Sequence, residues 1–104
     1  MSYLDSLSQL KFKVSKVEIE GIVFYLREIS LATRLKYEKE QDQMTKIIKM
    51  LYESLCDADG KPTEKPEDFD RFVETMPERM LKDLVTAFTQ LNYPNKEEDQ
   101  QLKN

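Results

Sequence analysis

Residues 30–55 contain no Gly and no Pro, and they are rich in Leu, Lys, Glu, Gln, Met and Arg. Those are strong helix formers, and nothing in the stretch breaks a helix. It therefore predicts one long helix over about 30–56, and the rest of the chain must be arranged around it. Ser30 is suited to cap the start, because its hydroxyl can accept from an orphan N–H of the first turn. Asp57-Ala58-Asp59-Gly60 is a turn cluster that marks the end. Tyr37, Met44, Ile47, Ile48, Leu51 and Leu55 recur on one face at helical spacing, while Leu31 and Leu35 point to roughly the opposite face. One helix with two apolar faces needs two partners. The first turns are expected to pack on the segment N-terminal to the helix and the last turns on the segment C-terminal to it. The charged and amide run 36–43 is left in solvent.

The N-terminal segment reads as a β-hairpin over about 12–27. Glu20-Gly21 is the turn, since Gly takes positive φ without strain. Closing there sets Ile19 opposite Ile22, Val17 opposite Phe24 and Ser15 opposite Leu26 on one face. Glu18 with Val23 and Lys16 with Tyr25 form a half-polar second face. Phe12 and Val14 have the wrong parity for the core face, so a bulge or a strand start is expected near Ser15. A lone hairpin is unstable in water. Leu31 and Leu35 are the nearest side chains to cover it.

The C-terminal segment reads as a loop and two amphipathic helices, at about 66–76 and 77–92. Pro66 suits a first helical turn and is succeeded by Glu67 and Asp68, which favour the positive end of the helix dipole. Phe69, Phe72, Val73 and Met76 make the first stripe. Pro77 ends it and opens the next, carried by Met80, Leu81, Leu84, Val85, Phe88 and Leu91. The fold expected is a single mainly α (α+β) domain over residues 1–94: a hairpin, a long helix and two further amphipathic helices in a small cluster. Residues 95–104 are polar and are expected to form a disordered tail.

The 104 residues allow one domain, and the 35% of charged residues leave a modest core. A net charge of −4 argues against non-specific nucleic-acid binding, which needs a basic patch, and against an anionic membrane surface. No apolar run approaches the ~20 residues of a spanning helix. Residues 1–10 lack the basic and apolar regions of a signal peptide. The single cysteine, Cys56, excludes an intrachain disulfide and suits a reducing compartment. At the N-terminus Tyr3, Leu4, Leu7 and Leu10 share a helical face in a segment too short to be a stable helix alone. It is either a loosely docked turn or an arm that engages a neighbour.

Chemistry is hard to place. If Asp59-Gly60 filled positions five and six of a calcium loop, Leu55 and Pro66 would stand at positions one and twelve, and neither can ligate through its side chain. With no His and one Cys, a transition-metal site would have to be all carboxylate, which suits zinc poorly, and a Ser-His or Cys-His nucleophile is impossible. Gly21 and Gly60 cannot make a phosphate-cradling loop. Glu38, Glu40, Asp42, Glu67 and Asp68 read as solvated helix surface. The expectation is a non-enzyme with no cofactor and no metal. Methionine surfaces adapt to varied apolar partners. Met50 points away from the main stripe of the long helix and is expected to be exposed, with Tyr52 at the stripe's edge. Met50, Tyr52, Met44, Tyr3 and Leu7 are the candidate partner-binding residues.

The order of parts resembles a known family. The hairpin leads into Arg27-Glu28-Ile29-Ser30, then a long charged helix, then Asp57-Ala58-Asp59-Gly60-Lys61-Pro62. A Pro-Glu-Asp-Phe helix start and a last amphipathic helix ending in Leu91-Asn92 complete the set. Over about residues 14–92 this is similar to the tail assembly chaperones of long-tailed bacteriophages and prophages. The resemblance implies a cytoplasmic assembly factor, absent from the finished virion, that keeps the helical tape-measure protein soluble and helps tail tube subunits polymerise around it. It also implies that a longer frameshifted form can exist, with self-association possible. A holdase of this kind would work by taking up apolar stripes of the client, and its acidic surface would keep the complexes dispersed. Two other classes compete: a small structural tail or connector subunit of the virion, and a small regulatory interaction protein. A DNA-binding form of the latter is disfavoured by the acidic balance.

Overall fold

The structure, a computed structural model, describes residues 2–94. The expected tail at 95–104 lies outside the described residues. In chain order the elements are α1 (Tyr3–Leu7), β1 (Val14–Ile19), β2 (Ile22–Arg27), α2 (Leu31–Lys36), α3 (Gln43–Ser54), β3 (Leu55–Cys56), α4 (Phe69–Thr75) and α5 (Glu78–Asn92), with a short 3-10 turn at Pro66–Asp68 before α4.

The hairpin forms in the register expected from its turn. Glu20 (φ 51°) and Gly21 (φ 83°) both lie in the left-handed region, as a type I′ turn requires. Ile19 then faces Ile22, Val17 faces Phe24, and Ser15 faces Leu26. The ladder runs without a bulge to Val14 and Arg27. Phe12 stays outside it, with the Arg27 guanidinium 4.8 Å above its ring.

The expectation of a mainly α fold with a two-stranded hairpin is overturned. Leu55 and Cys56 leave the end of α3 and pair antiparallel with Leu26 and Tyr25, giving a three-stranded sheet in the order β1-β2-β3. With five α-helices and this sheet among the described residues, the architecture is α+β. Asp57 turns the chain out of β3: its side chain accepts from the N–H groups of Asp59 (2.9 Å) and Lys61 (3.0 Å). Gly60, at φ 86°, lies against Val14 and Arg27, where a Cβ would sit 3.3 Å from a Val14 methyl.

The long helix expected over 30–56 is two helices. Ser30 caps α2 through the Thr33 N–H at 3.2 Å. A second cap opens α3: Asp42 accepts from the Thr45 N–H at 2.8 Å and the Thr45 hydroxyl at 2.6 Å. Between them the backbone tightens into i→i+3 bonds, Tyr37 to Arg34, Glu38 to Leu35 and Glu40 to Tyr37. The break lets α2 fold back on α3. In a continuous helix Lys36 and Glu53 would stand about 25 Å apart. Here the Lys36 ammonium lies 2.8 Å from the Glu53 carboxylate.

The core is Ile19, Leu26, Met50, Leu51, Tyr52, Leu55, Met80, Leu84 and Phe88. The apolar face of the hairpin packs on α5 and α3, not on Leu31 and Leu35, which are exposed (Leu31 70%). The reason is reach: α5 carries a stripe of Met80, Leu84 and Phe88 long enough to cover both strands, while α2 has six residues. Two polar ties lock α5 to the hairpin. Arg79 makes a bidentate pair with Glu20, both bonds 2.8 Å. The Ile29 N–H donates to Asn92 Oδ1 at 2.9 Å, and the Asn92 amide donates to the Phe88 carbonyl at 3.0 Å.

Candidate functional site

A groove of ≈ 490 Å³ runs between the outer edge of β2 and the junction of α4 with α5. Its strand wall is Ile22, Val23, Phe24 and Tyr25; its helical wall is Phe72, Thr75, Met76, Pro77 and Met80; Glu64, Asp68 and Arg71 lie along its lining. The groove exists because β3 is only two residues long. It pairs with Tyr25 and Leu26 and then turns away, so the edge of β2 from Ile22 to Phe24 has no strand beside it among the described residues.

Local chemistry holds the helical wall in place. Pro77 follows the end of α4 and stands at the N-cap position of α5, without a side-chain capping bond, so the chain must bend there. Tyr52 anchors α4 from below: its ring lies 5.2 Å from Phe69 in edge contact and 5.0 Å from Phe72, and its hydroxyl donates to the Lys65 carbonyl at 2.5 Å. Burial pushes the Tyr52 phenol up, and the charges of Glu64, Asp68 and Glu67 push it further. Glu64 and Asp68 of these three carboxylates also line the groove, with Arg71 beside them.

A second polar cluster joins α2 to α3. Glu53 accepts from the Lys36 ammonium and the Tyr37 hydroxyl. Burial raises its pKa, but the hydrogen bonds from Lys36, Tyr37 and Thr33 and the charge of Lys36 together outweigh burial and hold it below the ordinary carboxylate value. Lys36 is raised, first by its bond to Glu53. Tyr37 is raised by burial and then by the same carboxylate. Lys49 and Glu40 pair nearby at 2.9 Å. These groups satisfy one another, so the cluster works as a clasp between helices.

Cys56 is buried, and burial pushes its thiol up, away from the reactive thiolate. No group of three or more Cys, Asp or Glu among the described residues is placed to hold a metal ion. No helix among them is long and apolar enough to cross a membrane.

The residues singled out from the sequence divide. Tyr3 (89% exposed) and Leu7 (57%) stand on α1, which has no buried residue, and Met44 is exposed in the first turn of α3. Met50 and Tyr52 are not at the surface: they are 3% and 4% exposed, members of the core. The expected exposure of Met50 came from its phase in an unbroken helix, where it points away from the main apolar stripe. In the folded protein α3 is central, with β2 and α5 against it and the α4 aromatics on Tyr52, so three consecutive residues, Met50, Leu51 and Tyr52, are all covered. Sequence reasoning missed the open edge at Val23. Its signal is a strand of two residues placed by long-range pairing, which leaves no pattern in the residues around Val23.

No protein-family model matches the chain, and no curated protein matches it. A solved structure does: that of the bacteriophage HK97 tail assembly chaperone, at 20% sequence identity and a TM-score of 0.57, covering 86% of this chain and 96% of that one. The protein so matched is a tail assembly chaperone, the kind of protein that the hairpin, the Arg27-Glu28-Ile29-Ser30 segment and the Asp57–Pro62 turn resemble. The chain has the fold of the HK97 tail assembly chaperone.

Proposed function

We propose that this protein is a non-catalytic assembly chaperone for phage tails, which binds the tape-measure protein, keeps it soluble and assists the tail tube to form around it. The observation that carries this reading is the likeness in fold to a tail assembly chaperone across nearly the whole of both chains. The surface supports it. Tyr3, Leu4, Leu7 and Leu10 stand exposed on the N-terminal segment, and Ile22, Val23 and Met44 are exposed on the body. Apolar groups of this kind on a chain with a net charge of −4 suit a protein that holds an apolar client in solution while repelling its own copies. On this reading it acts in the host cytoplasm and is absent from the mature virion, and Tyr3, Leu7 and Met44 are client contacts.

Co-expression with the tape-measure protein of the same phage tests the proposal. The tape-measure protein should move from the insoluble to the soluble fraction and co-purify with the chaperone. Leu7→Glu with Met44→Glu should weaken this without altering the circular dichroism spectrum. A tape-measure protein that stays insoluble at excess chaperone defeats the reading. Stoichiometric presence of this protein in purified virions would make it a structural subunit instead.

A further inference from the structure

The two edges of the sheet are defended differently. In a hairpin closed by a two-residue turn, the residues flanking the turn form a hydrogen-bonded pair, and the pairs then alternate. Ile19 with Ile22, and Val17 with Phe24, therefore bond across the ladder, while the backbone groups of Glu18 and Val23 point outward. The same parity turns Tyr25 outward, and Tyr25 is the residue that pairs with Cys56 of β3. Val23 is the next outward-facing position along that edge.

On the β1 edge the outward positions include Lys16 and Glu18, charged residues of the kind that keep an edge from pairing. On the β2 edge the corresponding residue is Val23, exposed, between Ile22 and Phe24. It has no charge to protect it, and it opens into the groove faced by Phe72, Met76 and Met80.

We propose that this groove is a strand-addition site. Its occupant is an extended segment of a partner polypeptide, with apolar residues at alternate positions and a basic residue at the rim. An extended chain can bond the N–H and C=O of Val23 and so continue the line that β3 begins. A helix cannot, because its own backbone groups are already paired. A second copy of this chain is disfavoured by charge: each copy carries a net charge of −4, and in the groove the carboxylates of Glu64 and Asp68 outnumber the one guanidinium, Arg71. That net negative balance, two carboxylates against Arg71, favours a basic side chain on the partner. The site rests on the binding role proposed for the protein and gives that role a recognition surface.

The probe is a fluorescein-labelled peptide of alternating valine and threonine with lysine at both ends, titrated by anisotropy against the whole protein. It should bind, and saturation should slow amide exchange at Val23. N-methylation of alternate peptide amides should weaken binding about tenfold or more while leaving the protein untouched. Val23→Pro removes an N–H that takes no part in the β1–β2 ladder and should weaken binding similarly. Glutamate ends should weaken it as well. The inference is overturned if no binding appears up to about 1 mM, if the N-methylated peptide binds equally, or if Val23 exchange is unchanged at saturation. It is equally overturned if an amphipathic helical peptide binds the groove more tightly. The assay contains no phage protein. A solubilised tape-measure protein with a failed peptide test removes the groove alone, and a bound peptide with an insoluble tape-measure protein removes the chaperone role alone.

Discussion

Helices α1 and α5 carry the same kind of pattern and meet opposite fates. Each presents large apolar side chains on one helical face. In α5, Met80, Leu84 and Phe88 are buried; on α1 and the residues after it, Tyr3, Leu4, Leu7 and Leu10 are exposed. The short helix does not lack a well-formed start, since Ser2 caps α1 through the Asp5 N–H at 3.2 Å. The difference is the partner. The hairpin offers one apolar face, and α5, with fifteen residues and polar ties to the hairpin at Glu20 and to Ile29 just beyond it, takes it. Five residues of α1 have no second face to cover. Amphipathicity states that a helix needs a partner; the length of the stripe decides which helix gets one.

The largest expected effect tests the α5 side of this contrast. Phe88→Ala should cost about 3–5 kcal/mol, because a fully buried ring leaves a cavity at the centre of the core. A chemical-denaturation midpoint that barely moves would mean that α5 is not the lid of the hairpin. Next come the caps. Asp42→Ala removes two hydrogen bonds at the start of α3 and should cost about 1 kcal/mol. Ser2→Ala removes an equivalent bond on α1 and should leave the global transition in place, since α1 is not coupled to the core.

The clasp at Glu53 gives a smaller, pH-dependent effect. Its pKa in the folded protein is lowered from 4.5, so its contribution is full above that value and is lost as pH falls through the lowered pKa. Glu53→Gln should lower stability near neutral pH and flatten the fall in stability below about pH 4.5. An unchanged acid limb would remove the clasp as a stabilising element. The smallest effect belongs to α1. Leu4→Ser with Leu7→Ser should shift stability by less than about 0.5 kcal/mol. A larger loss would show that the arm is docked after all, and the contrast between the two helices would fail.

The hairpin was readable because Glu20-Gly21 fixes the turn, and the turn fixes every cross-strand pair. The helices over 66–92 were readable because Pro66 and Pro77 set their starts. The interruption of residues 30–56 was not, because it uses no Gly or Pro. It is made by Asp42 capping Thr45 and by Glu53 drawing in Lys36 and Tyr37. The opposed faces of Leu31 and Leu35 against Ile47 and Leu51 were its trace, and they fit one helix with two partners equally well. β3 and the open edge beside it were hidden for a different reason. Two residues carry no period, and their place is set by Leu26 and Tyr25, about thirty positions earlier. Of the residues offered for binding, Tyr3 and Leu7 on α1 were placed by local pattern and stand exposed; Met44 is exposed too, although the pattern set it on the stripe expected to pack. Met50 and Tyr52 depended on which faces of α3 its neighbours would cover.

The bond from the Ile29 N–H to Asn92 spans 63 positions of sequence. During synthesis the hairpin leaves the ribosome well before the helix that covers it. At ~5–20 residues per second, the apolar face of Val17, Ile19 and Leu26 waits roughly 3–13 s for Phe88 and Asn92 to emerge. A protein proposed to shield another chain's apolar surface thus spends its first seconds with its own uncovered. In that interval Lys16 and Glu18 guard one edge of the nascent hairpin, and the edge at Val23 has no such guard.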